Sequence, residues 1–426
     1  MSKSLSKWMV VGISFIDLGI AYGLNFSFSI FFVAILEEFR WSRAAIAGAY
    51  SLSALIAGIG SWLGGRLVDR LGVKKVLIGG SIILSFSTMA SGWIREIWHL
   101  YLFFGIFTAI GTCSLGWVPN SVLLSNWFVR NRGTMVGIAF SGMGIGIFAV
   151  GPFAQYLISR FGWQTAYGVL GLTVLILLLP LNCVLRNRPS ESEEKPGSGG
   201  RGPGIVENGK VERTHDEGEG RKDWTLGSSM KTISFWAFFF AFLFLPLGAF
   251  PVMIHQVAYL TDQGYTKIMA AFVFGAVGLM SSGGKVLFGV LSDRMGREKS
   301  VTWSFACSVL GIVVLLFLPS LRSASWVYVY AVLFGISFGA RGPILIAMTS
   351  DIYRGRHYGS IFGFINFGNG IGGALGPWLG GYLHDLTGSY RITFLICIPV
   401  LMMSCLCFWI AGWSMKKKRL FEGPRN

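Results

Sequence analysis

The sequence predicts an all-α membrane protein with twelve transmembrane helices in two six-helix bundles. Three observations carry that prediction: an apolar composition, twelve apolar runs of helical length, and an internal repeat. Of 426 residues, 53% are hydrophobic and only 13% are charged, with a mean hydropathy of +0.60, where a soluble domain carries about 25% charged residues. A crossing takes roughly 20 consecutive apolar residues. Such runs lie near 8–33, 44–67, 75–94, 99–124, 134–158, 163–185, 232–256, 268–291, 300–318, 326–350, 358–383 and 391–413. The narrowest division is Arg95-Glu96, between the third and fourth runs. The first run is too long for a cleaved signal peptide, and no small-residue cleavage site follows it.

The formal charge of +16 could point to nucleic acid, but its distribution excludes that partner. With both termini inside, the tails and even-numbered connections hold 27 Lys/Arg, the outer connections seven, and the spans two. This asymmetry is the positive-inside pattern, so the basicity sets orientation, with both termini cytoplasmic. The six cysteines lie in apolar runs without metal-ligand spacing. The five histidines are scattered with no His-x-x-x-His, which argues against an enzyme, a metal site or a cofactor.

The pattern divides the chain into a first bundle at 1–185, a linker at 186–231, a second bundle at 232–415 and a basic tail at 416–426. The linker is rich in Gly, Pro, Ser and charge and is expected to be mostly disordered; its end, from Trp224 to Met230, is expected to form a short interfacial helix. The bundles repeat one another. Gly65-x3-Asp69-Arg70-x-Gly72-x-Lys74 recurs as Gly289-x3-Asp293-Arg294-x-Gly296-Arg297-x-Lys299, and the glycine ladder from Gly133 to Gly146 recurs from Gly359 to Gly372. Gly-Pro follows each ladder, at Gly151-Pro152 and Gly376-Pro377. Small residues let helices approach closely in lipid, and a surface without side-chain knobs also permits sliding.

The duplicated Gly-x3-Asp-Arg-x-Gly-x-Lys loop in a six-plus-six chain resembles the signature of the major facilitator superfamily. The resemblance implies bundles around a central cavity that opens alternately to each side. It also implies that Asp69, Arg70, Asp293 and Arg294 form a charge relay holding one conformation.

Charges in mid-span cost about 2.5–3.5 kcal/mol on insertion scales and are functional candidates by default. Three exist, Asp17, Lys285 and Arg341, with His255 near the outer end of its span. All three charges fall near the midplane, where transporter substrates bind, and two cations against one acid favour an anion. Structural alternatives stand beside these roles: Asp17 paired with either cation, Lys285 snorkelling to the surface, His255 merely interfacial. Tyr50, Asn120, Ser337, Asn366 and Asn369 add neutral hydrogen-bonding candidates.

Asn126-Trp127-Phe128-Val129-Arg130-Asn131-Arg132-Gly133-x3-Gly137-Ile138-Ala139 resembles the monocarboxylate transporter signature, in a bacterial-type member. Asp17-Leu18-Gly19-Ile20-Ala21-Tyr22 is similar to a degraded form of that family's first-helix signature. The resemblance implies that Lys285, four residues before Gly289, takes the place of an essential arginine, with the carboxylate role shared by Arg341. Ser281 stands where the family has an acid. The first-helix lysine of vertebrate members is absent after Tyr22.

The sequence therefore points to proton symport of a small organic anion, a monocarboxylate such as lactate or pyruvate. Lys285 and Arg341 bind the carboxylate, Asn120, Asn366, Asn369 and Tyr50 assist, and Asp17 or His255 carries the proton. Gly363-x8-Gly372-x3-Gly376-Pro377-x2-Gly380-Gly381 is similar to an antiporter motif and keeps oxalate/formate-like exchange as the alternative. A transporter-derived sensor is the remote one. The expected partners are the anion, protons and the lipid bilayer, with the chain working as a monomer in a cell's inner (plasma) membrane.

Overall fold

The computed structural model describes residues 3–128, 132–185, 224–321, 323, 325–353 and 358–421. Residues 186–223 of the expected linker, 422–426 of the tail and 129–131 of the fifth-span signature lie outside the described residues.

Apolar runs with few helix breakers make helices throughout, because a bilayer core offers backbone groups no other partner; among the described residues there is no strand. In chain order they are α1 (Lys3–Phe39), α2 (Arg43–Leu71), α3 (Val73–Ala90), α4 (Ile97–Leu100), α5 (Ala109–Ser114), α6 (Trp117–Trp127), α7 (Arg132–Val184), α8 (Leu226–Met230), α9 (Ile233–Asp262), α10 (Lys267–Met295), α11 (Arg297–Phe317), α12 (Trp326–Ile352), α13 (Tyr358–Thr387) and α14 (Arg391–Phe421). A π-helical stretch, Tyr101–Thr108, joins α4 to α5. The break between α3 and α4 spans the expected Arg95-Glu96 division. Trp224 to Met230 does end in a helix, α8, whose first turn is capped by the Thr225 hydroxyl.

Among the described residues, ten helical segments are long and apolar enough to cross a membrane. One of them, Gly133–Val184, runs 52 residues and breaks at Gly162, where φ is +81° and ψ 162°. The expectation of twelve counts its two arms separately and adds α13.

The repeat is visible in backbone conformation. Among the described residues, those with positive φ form three pairs, Arg40 with Gly264, Gly72 with Gly296, and Gly162 with Gly388. Each pair is separated by the repeat spacing of 224 or 226 positions. Gly72 and Gly296 join α2 to α3 and α10 to α11 with nearly identical angles, φ 80°, ψ 152° and φ 88°, ψ 156°. That conformation is essentially closed to any residue with a Cβ, which explains the glycine in both copies of the signature loop.

The glycine ladders serve two faces, identically in each half. Gly142 and Gly146 admit Phe15 and Gly19 of α1, within the first bundle. Between them, Gly144 points across to Gly278 and Ser282 of α10. In the second half Gly368 and Gly372 admit Phe239 and Leu243 of α9, and Gly370 lies against Gly58 of α2 in the opposite half. The bundles therefore meet along α7 with α10 and α2 with α13, at close backbone approach. Lipid provides no hydrophobic drive, and dispersion between such bare surfaces replaces it.

Candidate functional site

Three layers of contact join the halves. At the first, Lys285 of α10 donates from Nζ to the Phe140 carbonyl of α7 at 3.0 Å, and Ser282 donates to the Ser141 carbonyl at 2.6 Å. Lys285 has no carboxylate partner among the described residues. The Phe140 ring packs on Trp117, with centroids 5.3 Å apart, and Trp117 lies under Gly342 of α12.

The second layer is an aromatic collar. Phe26 of α1 lies 6.3 Å from Tyr50 of α2, 6.1 Å from Phe250 of α9 and 5.7 Å from Phe338 of α12. Phe250 also touches Tyr50 and Phe338 at 6.1 and 6.3 Å. These rings, two from each half, meet one another across the boundary between the halves, Phe26 and Tyr50 buried and Phe250 and Phe338 half-buried.

The third layer is a charged latch at one face. Arg43, at the start of α2, holds Asp262, at the end of α9, through both terminal nitrogens at 2.8 and 3.0 Å. Lys267, at the start of α10, holds Glu37 of α1 at 2.5 Å. Arg43 and Lys267 are 224 positions apart, so the repeat places a cation at the head of each equivalent helix and each reaches an acid of the other half. Asp385 of α13 accepts the backbone N–H groups of Arg43 and Ala44 at 2.9 and 2.8 Å, while Ser42 accepts that of Ala45. A carboxylate from one half thus caps a helix of the other. A cavity of about 460 Å³ opens beside the latch, lined by residues including Arg40, Trp41, His384 and Asp385.

The opposite face carries the two signature loops. Asp69, Arg70, Asp293 and Arg294 stand exposed there, and none of the four is paired with another. Arg297, in the second loop, pairs with Asp351 of its own half at 2.7 Å.

The three intramembrane charges are not gathered in this state. Asp17 points into the first bundle, accepting from Asn182 Nδ2 at 2.9 Å; the same amide donates to Ser81 at 3.1 Å. The second carboxyl oxygen of Asp17 has no hydrogen-bond partner among the described residues. Arg341 points into the second bundle, where its guanidinium donates to Ser308 and Ser337 and lies 4.7 Å over the Phe305 ring. Only Lys285 sits between the halves. His255 is buried below the latch, with Nδ1 3.0 Å from the Tyr390 hydroxyl and Nε2 2.9 Å from the Pro377 carbonyl. Asn120 spends its amide on the Leu115 and Gly116 carbonyls, where α5 gives way to α6. Asn366 and Asn369 are half-buried on α13, and their side chains make no hydrogen bond among the described residues.

The latch is what sequence reasoning missed. Arg43, Asp262, Lys267 and Asp385 read as connection charges that set topology, and their partners lie 219 to 342 residues away. The one available signal was the repeat, which aligns Arg43 with Lys267. Asn182 and Ser81, which hold Asp17, carried no signal beyond being polar within apolar runs.

A family model described as Major Facilitator Superfamily matches residues 15–345 and 332–425. Monocarboxylate transporter 13 of Rattus norvegicus is 27% identical over 391 residues, covering 91% of this chain and 85% of that protein. Monocarboxylate transporter 2 of Homo sapiens is 24% identical, covering 98% and 87%. A solved bacterial homolog of the human lysosomal transporter Spinster, in an inward-facing and unoccupied conformation, superposes with a TM-score of 0.71 at 15% identity, covering 98% of each chain. That likeness speaks to the fold.

Proposed function

We propose that this chain, which belongs to the major facilitator superfamily, carries a small monocarboxylate such as lactate or pyruvate across the membrane together with a proton, by alternating access. A multi-pass membrane transporter is the premise; the substrate and the coupling are what is proposed. The observation that carries the proposal is Lys285, a cation at membrane depth between the halves, bonded to a main-chain carbonyl and with no acid partner among the described residues. An unpaired charge there is costly, and a substrate carboxylate supplies the missing anion. Ammonium has three donors, so Lys285 can hold the anion while still touching Phe140, or release that carbonyl in exchange. Either change alters the contact between halves, as a ligand that drives a conformational step must. The relatives named monocarboxylate transporters support the same substrate class.

The Lys/Arg bias supports an orientation with the signature loops and both termini in the cytoplasm and the latch outside. The structure is then the inward-facing state, with the outer mouth shut by Arg43–Asp262, Lys267–Glu37 and the Asp385 cap. Asp69, Arg70, Asp293 and Arg294 stand apart here and close the inner side in the other state. Arg341 reaches the substrate only by turning away from Ser308 and Ser337, so Lys285 takes the first contact. Tyr50 borders the path within the collar. Asn366 and Asn369 are the polar groups on α13 free to join it.

A proton travelling with the anion makes the moving unit neutral and avoids about 2.3 kcal/mol per charge per 100 mV. Asp17, or in its place His255, is the side chain proposed to take it. The test is equilibrium binding of labelled lactate to the purified protein. Wild type and Lys285→Arg should bind, and Lys285→Ala should lose at least about tenfold in affinity, as for a charged contact of about 1.5–3 kcal/mol. Equal binding by Lys285→Ala would remove Lys285 from the site.

A further inference from the structure

The latch continues inward as a hydrogen-bonded path whose protons can be assigned one by one. Arg43 Nη1 donates to the Tyr390 oxygen at 2.8 Å, because guanidinium is only ever a donor. The Pro377 carbonyl only accepts, so His255 Nε2 must carry hydrogen across the 2.9 Å to it. A neutral imidazole then presents a lone pair at Nδ1, and the single phenolic proton of Tyr390 fills the 3.0 Å gap. Every group in the path is satisfied in one arrangement, with His255 neutral and protonated at Nε2.

We infer that Tyr390 is a positioning residue that ties the protonation of His255 to the outer latch, so that the latch closes over a neutral imidazole and a second proton opens it. A proton on Nδ1 would turn an acceptor into a donor facing a phenol whose one hydrogen already points there. The phenol would have to turn that hydrogen elsewhere while accepting from Arg43 and His255 together. The imidazole itself has little freedom to swing away from the phenol: the Phe32 ring lies T-shaped to it with centroids 5.1 Å apart, and a Cβ added at Gly380 would lie 3.0 Å from its Cδ2.

Charge acts in the same direction. The groups facing this path are Arg43 from α2, Asp262 from the end of α9, His384 and Asp385 from α13, and Tyr390 at the head of α14. Both acids are committed, Asp262 to the Arg43 side chain and Asp385 to the helix cap. His384 Nε2 lies 3.8 Å from the same Asp262 carboxylate. An imidazolium at His255 would thus meet the Arg43 guanidinium across one phenol, with no acid to spare. This deepens the proton arm of the proposed transport, but its test needs no substrate, so it can fail while lactate transport stands, or hold while the substrate proves different.

The experiment measures the distance between spin labels at Glu38→Cys and Gln263→Cys, on opposite halves of the latch face. It uses the full chain in nanodiscs, in a background with the six native cysteines replaced, without substrate, between pH 8 and 5.5. The longer-distance population should grow as pH falls, by up to about tenfold per pH unit for one linked proton. Tyr390→Phe keeps the ring packed on Phe394 (5.8 Å) but removes the hydroxyl, and should flatten the response. His255→Gln should flatten it too, and His384→Gln should preserve it. Distances unchanged with pH in the parent protein would overturn the inference. So would a parent-like response in Tyr390→Phe or His255→Gln, or a response abolished by His384→Gln alone.

Discussion

Asp385 offers the sharpest perturbation of the latch, because its bonds exist only when the two halves meet at that face. Its carboxylate takes the first two backbone N–H groups of α2, at 2.9 and 2.8 Å, and Ser42 takes the third. Asp385→Ala leaves two helix-end donors to water and removes an anion from the positive end of the helix. Loss of an N-cap costs about 0.5–2 kcal/mol. Asp385 is solvent-exposed, which places its contribution at the lower end, about 1 kcal/mol, or roughly fivefold in a two-state ratio. Since the cap joins the halves, that fivefold should appear in the balance of conformations and leave the folded fraction nearly unchanged. Spin-label distances across the latch face at fixed pH measure it, with Asp385→Asn, which keeps one acceptor oxygen, falling between wild type and alanine. An unchanged distance distribution alongside a large loss of thermal stability would refute the reasoning, since it would make Asp385 an ordinary intra-bundle support.

Two further predictions concern a helix contact between the bundles and a buried acid within one of them. At Gly144 an added Cβ would lie 2.2 Å from the Gly278 carbonyl oxygen, so Gly144→Ala should destabilise the protein by about 1–3 kcal/mol. Gly137→Ala, in the same helix with nothing within 4 Å of the added carbon, should be neutral or mildly stabilising by helix propensity. Melting of the two variants in detergent compares them, and equal melting would contradict the division of the ladder into packed and open positions. Asp17→Asn keeps the shape and the Asn182 contact while removing the titratable group. If Asp17 carries the coupling proton, lactate flux in this variant should no longer follow a proton gradient, and an unaltered gradient response would leave that role to His255.

Much of the fold was legible because the membrane restricts the backbone to helices and because the chain states its architecture twice. The signature glycines at 72 and 296 mark turns that demand positive φ, and the ladders mark helix faces that must approach closely. A 3.6-residue period fixes which residues share a face, but not which neighbouring helix that face meets. Arg341 was legible as an intramembrane charge, yet only tertiary packing turns it toward Ser308 and Ser337, away from Lys285. Asp17 likewise meets Asn182 from a helix 165 positions on. The latch was hidden for a different reason. Charges in connections normally report topology alone, and their pairing across the two halves depends on the state the transporter occupies.

Coupled anion flux through Lys285 is the property on which the proposed transport most directly depends. Uptake of labelled lactate into proteoliposomes, with and without an inward proton gradient, measures it in wild type and Lys285→Ala. Gradient-driven accumulation in wild type, lost in Lys285→Ala, is the predicted result. Uptake that ignores the gradient and requires vesicles preloaded with a carboxylate would contradict symport and make the chain an anion exchanger.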